Sequence, residues 1–191
     1  MSLRVISGLA KGRKLKTVPG DTTRPITDRA KEALFDILGA DVLDSVWWDL
    51  FAGTGAVGIE ALSRGAAFVL FTDRERDAVE TIRANLEHCR LAEHAEVRRA
   101  DAFQSLHSSH DRVFDYIYVA PPQYQGLWAN AITALDATPH WLSAESWVIA
   151  QIDPREYTEL ALEHLVEFEQ RKYGSTLLVF YEGRPRSAPS T

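Results

Sequence analysis

The chain has 191 residues, of which 46% are hydrophobic and 25% charged, a composition that suits one ordinary domain and excludes a large multidomain enzyme or a disordered chain. No apolar run reaches the roughly 18 residues that a membrane-spanning helix needs. The first residues contain no apolar signal core and Cys89 is the single cysteine, so we expect a cytoplasmic protein without intrachain disulfides.

Charge is distributed unevenly along the chain. The net charge is -6, yet residues 1–31 contain eight basic and two acidic residues, a local charge of +6. The remainder contains 13 basic and 25 acidic residues, a charge of -12. A basic segment on an acidic body is suited to binding phosphate groups, although a solvated lysine-rich terminus would have the same composition.

The first elements predicted along the chain are a hairpin and a helix. Residues 4–8 and 13–18 are strand-like runs around a glycine-containing stretch, which predicts a short β-hairpin with a basic tip. Thr27 or Asp28 can cap a helix with apolar residues at helical spacing, and Gly39 ends it. The pattern predicts that this helix packs on the main sheet.

From Val46 onward, short apolar runs alternate with helical stretches, which is typical of a Rossmann-like doubly wound α/β sheet. The predicted strands lie near 46–51, 68–73, 95–100, 114–120 and 147–153, and the predicted helices near 56–64, 75–89, 126–137 and 156–163. Two further runs, 165–173 and 175–181, are joined through Gly174 and predict a closing antiparallel hairpin. We therefore expect a basic hairpin extension over 1–24, one main domain over 25–184 and a flexible tail over 185–191.

A glycine-rich turn follows the first strand of this pattern. The sequence from Trp48 to Gly58 runs from a strand through Gly53, Gly55 and Gly58 into a helix, the context in which such glycines let the backbone approach a ligand. The spacing alone is weak evidence, because dinucleotide enzymes, methyltransferases and plain tight turns all use it.

Three acidic residues lie at the ends of three successive strands and sharpen this interpretation. Asp49 precedes the glycines, where a carboxylate would repel a pyrophosphate but would accept a hydrogen bond from a cationic amino-acid group. Asp73 is placed to bind ribose hydroxyls, and Asp101 with the aromatic ring of Phe103 can frame an adenine. The set favours S-adenosylmethionine over NAD, although each acid alone could equally cap the following helix.

Three stretches carry a resemblance to a known family. Residues 24–35 begin Arg-Pro-Ile-Thr-Asp-Arg, residues 51–55 read Phe-Ala-Gly-Thr-Gly, and residues 58–66 read Gly-Ile-Glu-Ala-Leu-Ser-Arg-Gly-Ala. Together they resemble the bacterial 16S ribosomal RNA guanine-N2 methyltransferase family over nearly the whole chain, from Arg4 to Thr176. The resemblance implies a class I S-adenosylmethionine-dependent methyltransferase domain over 25–184 that methylates the exocyclic amine of one guanine in the small ribosomal subunit.

The resemblance also assigns roles to residues. Asp49, Gly53 and Gly55 would contact the methionine part of the cofactor, Asp73 the ribose and Asp101 the adenine. The full predicted cofactor set is Asp49, Phe51, Gly53, Gly55, Asp73, Arg74, Asp101 and Ala102. The predicted catalytic set is Ala120, Pro121, Pro122, Gln123 and Tyr124.

The catalytic loop departs from the family pattern. The family has Asp-Pro-Pro followed by Tyr or Phe after the fourth strand, whereas this sequence reads Ala120-Pro121-Pro122-Gln123-Tyr124. The acid is missing and the aromatic residue is displaced by one position. Backbone carbonyls near Ala120 and Pro121, with the Gln123 amide, are then the groups expected to hold the amine, and Tyr124 is expected to stack on the base.

The expected partner is ribosomal RNA, within the small subunit or an assembly intermediate, and neither a membrane nor a metal is expected. The predicted RNA-binding residues are Arg4, Lys11, Arg13, Lys14, Lys16, Arg24 and Arg29. Because the charges of the basic N-terminal arm lie in a separate hairpin, we expect the arm to supply RNA affinity without supplying cofactor affinity. Two alternatives stay open: a catalytically impaired ribosome-assembly factor that keeps the fold but lacks the acid at position 120, and, with less support, an NAD-dependent oxidoreductase.

Overall fold

The computed structural model describes residues 3–20, 26–108 and 112–183 of the chain. Its helices are α1 (Asp28–Leu38), α2 (Ala56–Ser63), α3 (Arg76–Cys89), α4 (Ala102–Leu106) and α5 (Leu127–Ala137). Its strands are β1 (Val46–Asp49), β2 (Phe68–Asp73), β3 (Ala95–Arg99), β4 (Phe114–Val119), β5 (Leu142–Ile152), β6 (Leu165–Tyr173) and β7 (Thr176–Gly183). Within these described residues, no helix combines the length and the apolar character needed to cross a bilayer.

All seven strands form one sheet in the order β3-β2-β1-β4-β5-β7-β6. Strands β1 to β5 are parallel, and β7 pairs antiparallel with both β5 and β6. The predicted doubly wound α/β sheet with a closing hairpin is confirmed. The chain reverses its winding direction between β1 and β4, and ligands of such sheets bind in the crevice at this point, beyond the carboxyl ends of the strands.

The helices cover both faces of the sheet and bury one apolar cluster on each. Helix α1 begins as predicted, because the Thr27 hydroxyl accepts a hydrogen bond from the Ala30 N–H at 3.2 Å, and it ends at Gly39 with φ +56°. Gly58 lets α2 lie close to the sheet: a Cβ at this position would come within 2.4 Å of the Phe71 ring. The third glycine of the motif therefore serves helix–strand packing.

The prediction of a helix over 156–163 is wrong. A single 3-10 turn, Pro154–Glu156, is followed by irregular chain up to β6. The buried Asp136 carboxylate accepts hydrogen bonds from the backbone N–H groups of Glu163, His164 and Leu165 at 2.7–2.9 Å, which holds this stretch outside a helix. A contact across the fold thus overrides the local propensity of the segment.

Two other elements differ from the predicted pattern. Strand β5 begins at Leu142 rather than near 147, because Leu142 already pairs with Phe114 of β4. The Ser146 hydroxyl donates to the Phe114 carbonyl at 2.6 Å where the pairing register then shifts. The short helix α4 was not predicted, and it begins where the Asp101 carboxylate accepts from the N–H groups of Phe103 and Gln104.

The N-terminal hairpin packs against the body of the protein. Arg4 pairs antiparallel with Lys14, as the sequence predicts for a hairpin. Leu3, Val5 and Leu15 are buried in the same apolar cluster as α1 and α2. Residues 21–25, which include the predicted RNA-binding Arg24, and the tail over 185–191 lie outside the described residues, so the domain limits proposed there stay predictions.

Candidate active site

A cavity of about 760 Å³ lies at the carboxyl ends of the parallel strands, at the switch between β1 and β4. Residues that follow β1, β2 and β3 line one side, which we call the cofactor half. Residues 120–125 and 127, with Gln151 of β5, line the other, which we call the acceptor half. The cavity brings together all of the predicted catalytic residues and all of the predicted cofactor residues except Gly55.

The glycine turn positions the cofactor half. Gly53 lines the cavity with φ +53°, a conformation that favours glycine, and its N–H donates to Asp73 Oδ2 at 2.8 Å. Gly55 precedes α2 with φ +74°, and a Cβ there would lie 3.3 Å from Ile59 and Ile82 rather than in the cavity. The structure therefore places Gly55 in the packing of the turn against α2 and α3.

Asp49 is a buried carboxylate with an unsatisfied oxygen. Its side chain lines the cavity and the residue is 2% exposed. Oδ2 accepts a long hydrogen bond of 3.3 Å from the Gly58 N–H, whereas Oδ1 is buried without a hydrogen-bond partner among the described residues. Burial raises the pKa of Asp49 to about 7. The hydrogen bond from the Gly58 N–H lowers this pKa, and the nearby Asp73 charge raises it. A cationic ligand would satisfy both the oxygen and the charge.

Asp73 and Asp101 each accept hydrogen bonds from backbone N–H groups and also line the cavity. Asp73 accepts from the N–H groups of Gly53 and Glu75 at 2.8 and 2.9 Å. Asp101 caps α4 through Oδ1 alone. A carboxylate has about four acceptor positions, so the capping and ligand-binding interpretations are compatible at both residues. Arg74 and Ala102, the neighbours predicted with them, also line the cavity.

The acceptor loop is held from the chain after β5. Tyr124 has φ +61°, unusual for a bulky residue, and its N–H donates to Glu156 at 2.5 Å. Its hydroxyl donates to Asp153 Oδ2 at 2.7 Å and accepts from Arg155, which also pairs with Asp153 at 3.0 Å. These bonds hold the pKa of Asp153 below its usual range, with Arg155 as the largest cause, and they fix a tyrosine that is 60% exposed at the cavity rim.

Several lining residues were missed by the sequence analysis. Tyr118 and Gln151 line the acceptor side, and alternation along β4 and β5 could have placed them on the same face as Ala120. Val18, Pro19 and Gly20 also line the cavity. Nothing in the local sequence relates these three residues to the strand ends, because they are brought there by the packing of the N-terminal segment.

The basic residues of that segment lie at the surface. Lys11, Lys14, Lys16 and Arg29 are exposed, and no ion pair involves them among the described residues. Arg13 donates to the His88 carbonyl, and Arg4 pairs with Asp28 at 2.9 Å.

The N-terminal segment is hydrogen-bonded to the cofactor half of the site, whereas the absence of a contribution from its charges to cofactor affinity stays a prediction. Buried Asn85 bonds to the backbone N–H and carbonyl of Lys16 at 2.8 and 3.1 Å and donates to the Thr54 carbonyl of the glycine turn at 3.0 Å. On α2, Glu60 accepts from the N–H groups of Ile6 and Ser7 and lies 3.3 Å from buried Lys31. The segment is therefore bonded to the turn that lines the cofactor half.

Comparison with known proteins identifies the family. The family described as "Conserved hypothetical protein 95" matches residues 3–182. The chain is 37% identical over 184 residues to a Bacillus subtilis protein named "Putative rRNA methyltransferase YlbH", covering 95% of this chain and all of that protein. It is 33% identical over 149 residues to ribosomal RNA small subunit methyltransferase D of Escherichia coli, covering 78% and 74% of the two chains. The chain belongs to this family of bacterial ribosomal RNA methyltransferases.

Solved structures agree with this family assignment. The solved structure named "Putative methyltransferase yhhF from Escherichia coli" aligns with a TM-score of 0.84 at 28% identity. The alignment covers 96% of this chain and 98% of that one. An RNA methyltransferase from Salinibacter ruber, solved with S-adenosyl-L-homocysteine, gives a TM-score of 0.63 at 18% identity, covers 88% and 98% of the two chains, and shows the shared fold. The predicted class I methyltransferase fold is confirmed.

Proposed function

We propose that the protein transfers a methyl group to the exocyclic N2 amine of a guanine in the 16S ribosomal RNA of the small subunit. S-adenosylmethionine is the methyl donor. The observation that carries the proposal is the unsatisfied, buried Asp49 carboxylate on the wall of a cavity whose opposite wall is the Pro121-Pro122 loop. The cavity volume of about 760 Å³ lies in the range of small-molecule sites and suits a cofactor with a base beside it.

The residues of the cofactor half fit this donor. Asp49 Oδ1 would accept a hydrogen bond from the amino group of S-adenosylmethionine, Asp73 would bind its ribose hydroxyls, and Asp101 would bind its adenine. Phe51 and Phe103 make an edge contact with ring centroids 6.2 Å apart, and both line the cavity. They would supply the apolar surface for the adenine ring.

When bound, the methyl donor would supply a methyl group on a positively charged sulfonium. In the transfer the N2 lone pair would form the new C–N bond, and the electron pair of the methyl–sulfur bond would stay on sulfur. The displaced N2 proton would leave to solvent. The protein contributes position rather than a strong base. An amine that is to be methylated needs hydrogen-bond acceptors around its hydrogens. Pro121 and Pro122 have no N–H to compete as donors, so the loop offers carbonyl oxygens.

RNA binding is proposed for the basic N-terminal segment. Exposed Lys11, Lys14, Lys16 and Arg29 can contact phosphates. A base within a helix cannot present its amine to the cavity, so the target guanine would be single-stranded or flipped out, with Tyr124 at the rim to stack on it. Since Val18 to Gly20 line the cavity, RNA contact with this segment also reaches the wall of the active site.

A second candidate function is a non-catalytic assembly factor, which the missing acid at Ala120 favours. Such a protein would bind ribosomal RNA and transfer no methyl group. The oxidoreductase alternative has no support, since the chain belongs to a methyltransferase family.

The test uses labelled S-adenosylmethionine and small subunits from cells that lack the corresponding methylation. After nuclease digestion, mass spectrometry identifies the labelled nucleoside. We expect N2-methylguanosine from one site of the 16S RNA. A label on another base or atom would contradict the proposed specificity, and binding of the subunit without any label would support the assembly factor.

A further inference from the structure

A polar pair in the cavity wall joins the two halves of the site. Tyr118 of β4 lies opposite Asp49 of β1 in the sheet register, and its hydroxyl donates to Gln151 Oε1 on β5. All three residues line the cavity.

The same register places Gln151 beside the position that lacks the acid. Strands β4 and β5 are parallel, with Val119 opposite Ala150 as the last registered pair. Ala120 directly follows the end of β4, and Gln151 is the next residue of β5. Paired residues of parallel strands point to the same face, and both of these line the cavity. A side-chain oxygen of the adjacent strand therefore lies beside the position at which the family pattern has an acid.

The orientation of the Gln151 amide is fixed by Tyr118. Tyr118 is 3% exposed, and burial, with the Asp49 charge as a smaller cause, holds the pKa of its hydroxyl well above the usual range, so the hydroxyl stays protonated and remains a donor. A donor at Oε1 leaves the second lone pair of that oxygen open to another donor. Gln123, the acceptor suggested by the sequence, makes no side-chain hydrogen bond within the described residues that would hold it in place.

We propose that Gln151 is the positioning residue for the acceptor amine: Oε1 accepts one hydrogen of the guanine N2 amine and replaces the oxygen that Ala120 cannot supply. This inference rests on the proposed function. A carboxamide is neutral and is no base, so it aligns the nitrogen lone pair with the methyl group and leaves the proton to solvent. Guanine also has an acceptor ring nitrogen beside this amine, which complements the amide Nε2.

The kinetic test compares three variants. Gln151→Met keeps the length of the side chain and removes its acceptor, Gln151→Glu keeps an acceptor, and Gln104→Met is a matched control at an exposed glutamine of α4. We expect Gln151→Met to lower kcat by about tenfold or more with unchanged S-adenosylhomocysteine affinity, as for the loss of one aligning hydrogen bond. Gln151→Glu should restore turnover above the pKa of the new carboxyl, giving a pH-dependent kcat that the wild type lacks. A Gln151→Met enzyme with the wild-type kcat would overturn the inference.

A second readout separates this inference from the proposed function. The chain has five glutamines, and the Gln151→Met variant identifies the side-chain amide signal of Gln151 in a proton–nitrogen NMR spectrum. With S-adenosylhomocysteine bound, guanosine monophosphate should shift that signal and leave the Gln104 signal unchanged. An unmoved Gln151 signal at saturating guanosine monophosphate contradicts the inference even if the wild type methylates guanine. A shifted signal supports it even if ribosomal subunits accept no methyl group, the result that contradicts the proposed function alone.

Discussion

The two halves of the cavity are built in different ways. The cofactor half is mostly local. Asp49 and Asp73 are the last residues of their strands, and Asp101 lies two residues after β3. Asp49 and Asp101 accept hydrogen bonds from backbone within nine residues, and Asp73 also accepts one from Gly53 in the turn after the neighbouring strand. The acceptor half is assembled from distant parts of the chain, since Tyr124 is held by residues 153–156 and Tyr118 by Gln151. A short motif therefore specifies the first half, and tertiary packing specifies the second.

The largest effect is expected at Asp49, and it should be confined to the cofactor half. Asp49→Asn removes the charge facing the cavity and should weaken S-adenosylmethionine binding by roughly a hundredfold, the loss of a charge-assisted hydrogen bond. Calorimetric titration measures this. Asp36→Asn, at an exposed residue of α1, is the control, and an Asp49→Asn protein with wild-type affinity would remove Asp49 from the site.

Cofactor affinity should also depend on pH through Asp49. Its pKa is raised to about 7, so at pH 6 most molecules have a neutral carboxyl, which must lose a proton before it can pair with a cation. Affinity for S-adenosylmethionine should rise about tenfold from pH 6 to pH 8, following the ionised fraction. The Asp49→Asn variant should show no such rise across this interval, and a flat wild-type profile would mean that the carboxylate is already ionised at pH 6.

Tyr124 tests the acceptor half. Tyr124→Ala removes the ring and should raise KM for the RNA substrate about tenfold, from the loss of a stacking contact. Tyr124→Phe keeps the ring and loses only the bonds to Asp153 and Arg155, so its KM should rise less. Cofactor affinity should stay constant in both. Equal KM values for Tyr124→Ala and the wild type would show that the base does not meet this ring.

The smallest effect is expected at a single lysine. Lys14→Ala should reduce the slope of RNA affinity against salt by about 0.7, the contribution of one phosphate contact to single strands, and leave cofactor affinity unchanged. Lys172→Ala on the edge strand β6 is matched in charge and should not change the slope. A slope altered equally by both variants would indicate a general charge effect rather than a contact.

The same division explains what the sequence could predict. The sheet, α1 and the three acids follow from hydrophobic period and strand-end position, which are local properties. The irregular stretch after Glu156 depends on Asp136, 27 residues or more away, and the bond from Asn85 to the glycine turn joins residues separated by 31 positions. Such contacts leave no periodic signal. Alternation along β5 could have placed Gln151 on the face of Ala120, but its bond to Tyr118 on another strand leaves no such signal.

The central claim is that one cavity holds the methyl donor and the acceptor amine in a working enzyme despite Ala120. A single-turnover assay with labelled S-adenosylmethionine and under-methylated small subunits, run for the wild type and Ala120→Asp, tests it directly. We predict that the wild type transfers the label and that Ala120→Asp is no faster, since Gln151 already supplies the acceptor and a carboxylate at position 120 adds an unpaired charge to a partly dry site. A wild type that transfers nothing while Ala120→Asp transfers methyl would contradict the claim.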